Sequence, residues 1–203
     1  MCLTLCSARW LKYVFLMLLI GSAPSLAGGY FEANKIQEAP GTDADVAFAQ
    51  QLWLRMEKFD LVGPDATPLK PFKGAAPPHG WILELASQPL LLNNHNGFLV
   101  VKKNYNGDDL TVEDVVQDRA SYLNSYTIMY QREDGYDEDN QNWFWAKYQA
   151  DGSLFSANMQ GNEVKLAGRL VKGKTRNLNT GCLYCHSSAG GGDYIFYPHI
   201  LQP

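Results

Sequence analysis

The chain has 203 residues, 46% of them hydrophobic and 19% charged. That is globular composition for one ordinary domain and excludes wholesale disorder. A net charge of −4 argues against a nucleic-acid binder, whose affinity rests on a basic surface, and four cysteines are too few for a disulfide scaffold of this length.

The first stretch carries Arg9 and Lys12 and no acidic residue before Glu32. An apolar run from Tyr13 to Ile20 follows, then Gly21-Ser22-Ala23-Pro24-Ser25-Leu26-Ala27. A positive start, a short apolar core and a small-residue ending predict a secretory signal peptide over 1–27, cut after Ala27. The rival, an uncleaved anchor, needs about 20 apolar residues to span a bilayer, and this core is shorter. No cysteine follows the cut, so no lipid anchor and no stable membrane attachment are expected. The mature chain 28–203 loses Arg9, Lys12, Cys2 and Cys6; Lys+Arg falls from 17 to 15 against 21 acidic residues, for a net charge of −6. It is expected to work in an oxidising compartment, a bacterial periplasm fitting best.

Thr42-Asp43-Ala44-Asp45 is a helix start, with acidic residues where the helix dipole favours them. Val46, Ala49, Trp53 and Met56 recur at helical spacing and predict a helix over 43–59 that covers a sheet. Five prolines between Pro64 and Pro78 make a long irregular connection. Strands are predicted over 81–86 and, after a turn at 93–97, over 98–104, then at 121–131 and 143–149, with a short helix near 112–118. Asp151-Gly152 is a hairpin turn between Tyr148 and Leu154. The acidic run Glu133–Asp139 is expected as a solvated loop. Arg169, Lys172, Lys174 and Arg176 form a basic cluster, either a solvated face or a docking rim for an acidic redox partner. The fold class that follows is α+β: one domain over 28–203, a mainly antiparallel sheet with a few flanking helices and a C-terminal helix.

That last element comes from Cys182-Leu183-Tyr184-Cys185-His186. Cys-x-x-Cys-His is the attachment motif of c-type haem. Two cysteines one helical turn apart can form thioethers to one porphyrin, and the adjacent imidazole can then take the iron as proximal ligand, its other ring nitrogen donating to a backbone carbonyl. Three rivals share the cysteines. A thioredoxin-like pair sits early in a βαβ unit, unlike this one. A zinc site needs a fourth ligand or water from elsewhere. A disulfide across so tight a loop adds little stability. The export signal and the loss of the other two cysteines favour haem. The sixth iron position has Met56, Met129, Met159, His79, His95 and His199 as candidates, and spacing does not choose among them. Met packing in a core is the commoner use, and His79 and His95 are expected as loop or supporting residues.

Several segments together resemble the cytochrome P460 family: His79-Gly80-Trp81, Gly97 to Tyr105, Thr127-Ile128-Met129-Tyr130, Gly135-Tyr136, Asn142 to Tyr148, Gly181 to His186 and Asp193 to Phe196. The resemblance runs from about 79 to 198 in the family's order. It implies a mostly antiparallel β fold, usually a homodimer, with one haem c held through Cys182 and Cys185, and His186 as proximal ligand. In the hydroxylamine-oxidising members a lysine is also joined to the porphyrin edge, and Lys102 stands at that position. Phe98, Val100 and Lys102 share one face of a strand, so Lys102 is expected to be partly desolvated and nucleophilic, while Lys103 points the other way. A distal carboxylate serves those members as proton acceptor; Thr127 or Met129 falls near its position, and Glu133 is later. Other relatives lack the cross-link and bind small gases. Three functions follow: a hydroxylamine-oxidising oxidoreductase, a non-enzymatic binder of nitric oxide or carbon monoxide, or an electron-transfer cytochrome closed by a sixth ligand. Each needs a redox partner protein or a small nitrogen-containing or gaseous ligand.

Overall fold

A computed structural model describes residues 39–74, 79–159, 161–170 and 181–196, all within one compact unit spanning 37–203. The expected signal peptide, Pro77, Pro78, Lys172, Lys174, Arg176 and His199 lie outside the described residues. The elements run in the order α1 (Asp43–Glu57), β1 (Phe72–Lys73), β2 (Ile82–Leu92), β3 (His95–Tyr105), α2 (Val112–Gln117), α3 (Arg119–Tyr122), β4 (Leu123–Gln131), a 3-10 turn (Glu138–Asn140), β5 (Trp143–Gln149), β6 (Ser156–Met159), β7 (Asn162–Lys165), β8 (Ala167–Gly168) and α4 (Cys182–His186). Six strands form one antiparallel sheet in the order β1-β2-β3-β4-β5-β8, and β6 and β7 form a separate ribbon. The fold class is therefore α+β, mainly antiparallel. No helix among the described residues is long and apolar enough to cross a membrane.

The helix α1 starts where its residues dictate. Thr42 Oγ1 accepts from the Asp45 amide at 3.1 Å, and Asp45 Oδ2 accepts from the Thr42 amide at 3.2 Å, which closes a capping box. Phe48, Ala49, Leu52, Trp53 and Met56 then bury one face of α1 against Val101, Tyr126, Ile128, Phe144 and Tyr148. Trp53 stacks within 5.3 Å of Tyr126 and 5.0 Å of Tyr148, measured between ring centroids. The Tyr148 hydroxyl donates to the Ala49 carbonyl at 2.9 Å, so this largest core also satisfies its polar tip.

The hairpin β2–β3 is longer than the sequence suggests. Pairing runs without a break from Ile82↔Tyr105 to Leu92↔His95, joined by Asn93 and Asn94 alone, both at positive φ (49° and 63°). Two residues with positive φ match the twist of a hairpin, and asparagine tolerates that region. The expected end of the strand at Ala86 is corrected for a simple reason. Pro89 cannot donate to a ladder, but β1 reaches only Ile82 and Leu83, so at Pro89 the outer side of β2 has no partner strand among the described residues. His95-Asn96-Gly97, expected in the turn, belongs to β3. Gly97 is required there, because a side chain would run into the Gln131 carbonyl and the Tyr130 ring of β4. The strands expected at 121–131 and 143–149 are β4 and β5. The Asp151-Gly152 turn is present, with Gly152 at φ +86°, but its far side pairs only through the bridge Tyr148↔Leu154.

The acidic loop is not wholly solvated. Tyr136 is clamped by the guanidinium groups of Arg132 and Arg169, 4.4 and 4.2 Å from its ring centroid, and its carbonyl accepts from Arg169.

Strand alternation gives the sheet two unlike faces. The α1 face ends in a charge network around Glu84, which is fully buried. Glu84 accepts from Arg119 Nε at 2.7 Å and from the Tyr105 hydroxyl at 2.9 Å, and Lys103 Nζ lies 3.4 Å away. Lys103 also donates to the Thr67 carbonyl and Arg119 to the Leu69 carbonyl, so the network ties α3 and the proline-rich connection to the sheet. Removing one member of a buried ion network leaves the others uncompensated. Glu84→Ala should cost about 3–5 kcal/mol in urea unfolding, and Glu84→Gln less, since it keeps acceptor capacity for Tyr105. A loss below about 1 kcal/mol for Glu84→Ala, the range of an exposed pair, would contradict this role.

Candidate functional site

The second face of the sheet carries the sequence-singled residues. Val100 of β3, Met129 of β4, and Trp143 and Trp145 of β5 pack there with Leu170, Leu183 and Ile195, and Phe98, Cys182 and Tyr194 close the edges. The C-terminal segment thus forms the lid of this face. It is fastened by the Leu183 amide, which donates to the Leu170 carbonyl at 3.2 Å. Within α4 the apolar Leu183 and the imidazole of His186 point inward and are buried, Cys182 is partly buried, and Cys185 is exposed.

His186 is held on several sides. Its Nδ1 lies 2.7 Å from the Tyr194 carbonyl oxygen, which fixes the tautomer with the proton on Nδ1 and leaves Nε2 as the nitrogen with a lone pair. Ring centroids of Trp145, Phe196 and His79 stand 4.8, 5.3 and 6.1 Å away. Burial lowers the His186 pKa to about 4, the Lys102 charge adds to that lowering, and the Tyr194 carbonyl opposes it. The ring is neutral at pH 7, the form that ligates a metal.

Lys102 reaches the same face through register. It pairs with Thr127, two residues on from Val100↔Met129, so it shares that row's side. Burial lowers its pKa to about 8, against the opposing effect of the nearby Cys182 thiol. A pKa of about 8 leaves about a tenth of the amine neutral at pH 7, far above an ordinary lysine. Lys103 points the other way, as expected, but it is no neutral control, because it belongs to the Glu84 network.

His79 is the site residue that sequence reasoning placed least well. It stands at the end of the proline-rich connection, with Nδ1 3.5 Å from Thr127 Oγ1, beside Asn104 and facing His186. Burial lowers its pKa to about 3, followed by the Lys102 and His186 charges. Its signal was positional: Asn104 Oδ1 accepts from the Gly80 amide and draws the connection back onto the sheet. The other candidates for a sixth ligand scatter. Met129 is buried on this face, Met56 lies in the α1 core, and Met159 is in the β6–β7 ribbon. His95 sits at the β2–β3 turn with Nε2 3.0 Å from the Gln131 carbonyl. Glu133 is on the outer loop, paired with Arg132.

The face is short of acceptors. Trp143 Nε1 and Trp145 Nε1 are buried without a hydrogen-bond partner. Among the described residues no carboxylate forms an ion pair with Lys102. No group of three or more His, Cys, Asp or Glu side chains that could hold a metal ion is found among the described residues. Burial pushes the Cys182 thiol up to about 11, the reverse of the depressed pKa that activates an exchanging dithiol. Comparison of the chain with protein-family profiles, curated proteins and solved structures finds no match in any of the three.

The Lys102 burial makes a stability prediction. Its folded pKa lies below the unfolded value of 10.5, so the unfolded chain binds more protons between the two and stability rises with pH there. With no group bound, the native chain should gain up to about 3 kcal/mol relative to Lys102→Met between pH 8 and 10.5. Urea unfolding of both proteins from pH 7 to 10 checks this. Parallel curves would mean that Lys102 is not desolvated.

Proposed function

We propose that the chain is an exported cytochrome of the P460 type, working as a homodimer in the periplasm after removal of residues 1–27. Cys182 and Cys185 hold one haem c by thioethers, and His186 binds its iron. The observation that carries this reading is the state of His186. A neutral imidazole, fixed through Nδ1 by the Tyr194 carbonyl, stands one residue after a cysteine pair on a short helix and on a face with buried unpartnered donors. Those donors and Lys102 fit a large, acceptor-bearing group. The raised Cys182 pKa speaks against disulfide exchange, and thioether formation needs the cysteines only once.

A bound haem supplies an iron that exchanges single electrons and takes a small ligand at its open position. The residues around it set what happens there. His186 holds the metal from one side, and Trp145 and Phe196 exclude water from that imidazole. Lys102 offers a partly neutral amine for the cross-link. If Lys102 were joined to the porphyrin edge, an N–C bond would replace an N–H and a ring C–H, and two protons and two electrons would pass to an oxidant such as peroxide. Small nitrogen species, hydroxylamine or nitric oxide, are the ligands, and electrons leave to a redox partner protein. The carboxylate of the hydroxylamine oxidisers has no counterpart among the described residues of this face, where Thr127 or Met129 falls near the place expected for it.

A second reading has its own observation. The His79 and His186 rings face each other on this side of the sheet, 6.1 Å apart between centroids, so that His79 could serve as a second ligand to a metal held by His186. His79 would then close the iron, and the protein would be an electron carrier.

Spectra of the purified exported protein separate these. The P460 reading expects a ferrous main band shifted far to the red, lost in Lys102→Met and kept in Lys103→Arg, with turnover of hydroxylamine to an artificial acceptor. Binding of nitric oxide without turnover would make it a gas binder. A six-coordinate low-spin spectrum that turns high-spin in His79→Ala would replace the P460 reading with the carrier.

A further inference from the structure

A second lysine lies on the face that holds Lys102. The register sets Lys147 across β4 from it, since Lys102 pairs with Thr127 and Thr127 with Lys147. Residues in one cross-strand row share a face. Lys147 is half-buried, and its Nζ stands 4.7 Å from the centroid of Phe155. Burial lowers its pKa, and the nearby Cys182 thiol works in the opposite direction. Both lysines therefore feel the first cysteine of the attachment motif.

The two faces treat their cations differently. On the α1 face Lys103 and Arg119 converge on the Glu84 carboxylate. On the other face, among the described residues, neither Lys102 nor Lys147 forms an ion pair, and the Trp143 and Trp145 indole N–H groups are without acceptors. Partly desolvated cations without a carboxylate, and buried donors without acceptors, are costly, so this row has a shortfall of negative charge. A haem brings two carboxylate side arms. Lys102 loses its charge once its nitrogen joins the porphyrin, which leaves Lys147 as the cation of the row.

We propose that Lys147 is the counter-charge for a carboxylate side arm of the haem held by Cys182 and Cys185, and that it thereby raises the reduction potential of the iron. The inference rests on the haem reading above. It follows from the row Lys102–Thr127–Lys147 and from the absence of any described carboxylate paired with it. A positive charge near the iron favours the reduced state, because oxidation adds like charge.

The test uses the exported protein in four forms: wild type, Lys147→Gln, Lys147→Met and Lys147→Arg. Haem content comes from intact mass, and the midpoint potential from spectroscopic redox titration at pH 7. The expected result is a downward shift of the midpoint in both uncharged variants and a near wild-type midpoint in Lys147→Arg. If the uncharged variants attach no haem while Lys147→Arg does, and the haem-free chains unfold at the same temperature, the charge itself is what the group needs, and the proposal stands. Equal midpoints in wild type and both uncharged variants overturn it. So does Lys147→Arg behaving like Lys147→Gln. A wild-type protein that carries no haem removes the haem reading itself, a different outcome from an unmoved midpoint in a haem-bearing protein.

Discussion

Successive side chains of β3 must leave the strand on opposite sides, and that alternation divides the molecule into two environments. Val101 and Lys103 enter the space under α1, whereas Val100 and Lys102 enter the space under the C-terminal segment. Both spaces are sealed by apolar packing, so each lysine meets low polarity, and what differs is what awaits it. Lys103 finds a fully buried carboxylate, and Lys102 finds a thiol, an indole cluster and a neutral imidazole. The uninterrupted β2–β3–β4–β5 register carries this division across the sheet and brings Thr127 and Lys147 into the row of Lys102.

The two faces do different work. Around Glu84 every charged group has a partner, and the network pins α3 and the connection before β2 to the sheet edge. The other face combines two lysines without a described counter-ion, two indole N–H groups without acceptors and a histidine already oriented by a backbone carbonyl. A fold that leaves so many donors unpaired in one place is incomplete by the ordinary accounting of buried polar groups. A covalently held haem, with its iron and carboxylates, would complete it.

Local chemistry was legible in the sequence, and long-range placement much less so. The cap at Thr42 and the helical spacing behind it fix α1, and the aromatic alternation of Tyr126 to Tyr130 and of Trp143 to Tyr148 fixes β4 and β5. The opposition of Lys102 and Lys103 follows from strand periodicity alone. The limits of β2 and β3 were hidden because the first strand was expected to end at Ala86 and His95-Asn96-Gly97 was read as part of the turn. Only the sheet order reveals that Pro89 lies beyond the reach of β1. His79 was named among the sixth-ligand candidates but expected as a loop or supporting residue, since no local pattern announces that Asn104, 24 residues after Gly80, fastens the end of that connection to the sheet. Lys147 resembled any strand lysine until the register set it beside Thr127. The Glu133–Asp139 run hid Tyr136 and its two arginines behind acidic composition.

The central claim is that this chain is exported and binds haem covalently through its last two cysteines. Intact mass of the protein recovered from the periplasm, together with that of a Cys182→Ala, Cys185→Ala variant, tests it most directly. The account predicts the mass of residues 28–203 plus one haem for the native chain, and the bare polypeptide mass for the variant. A native chain at bare polypeptide mass would contradict it, as would a chain that retains residues 1–27.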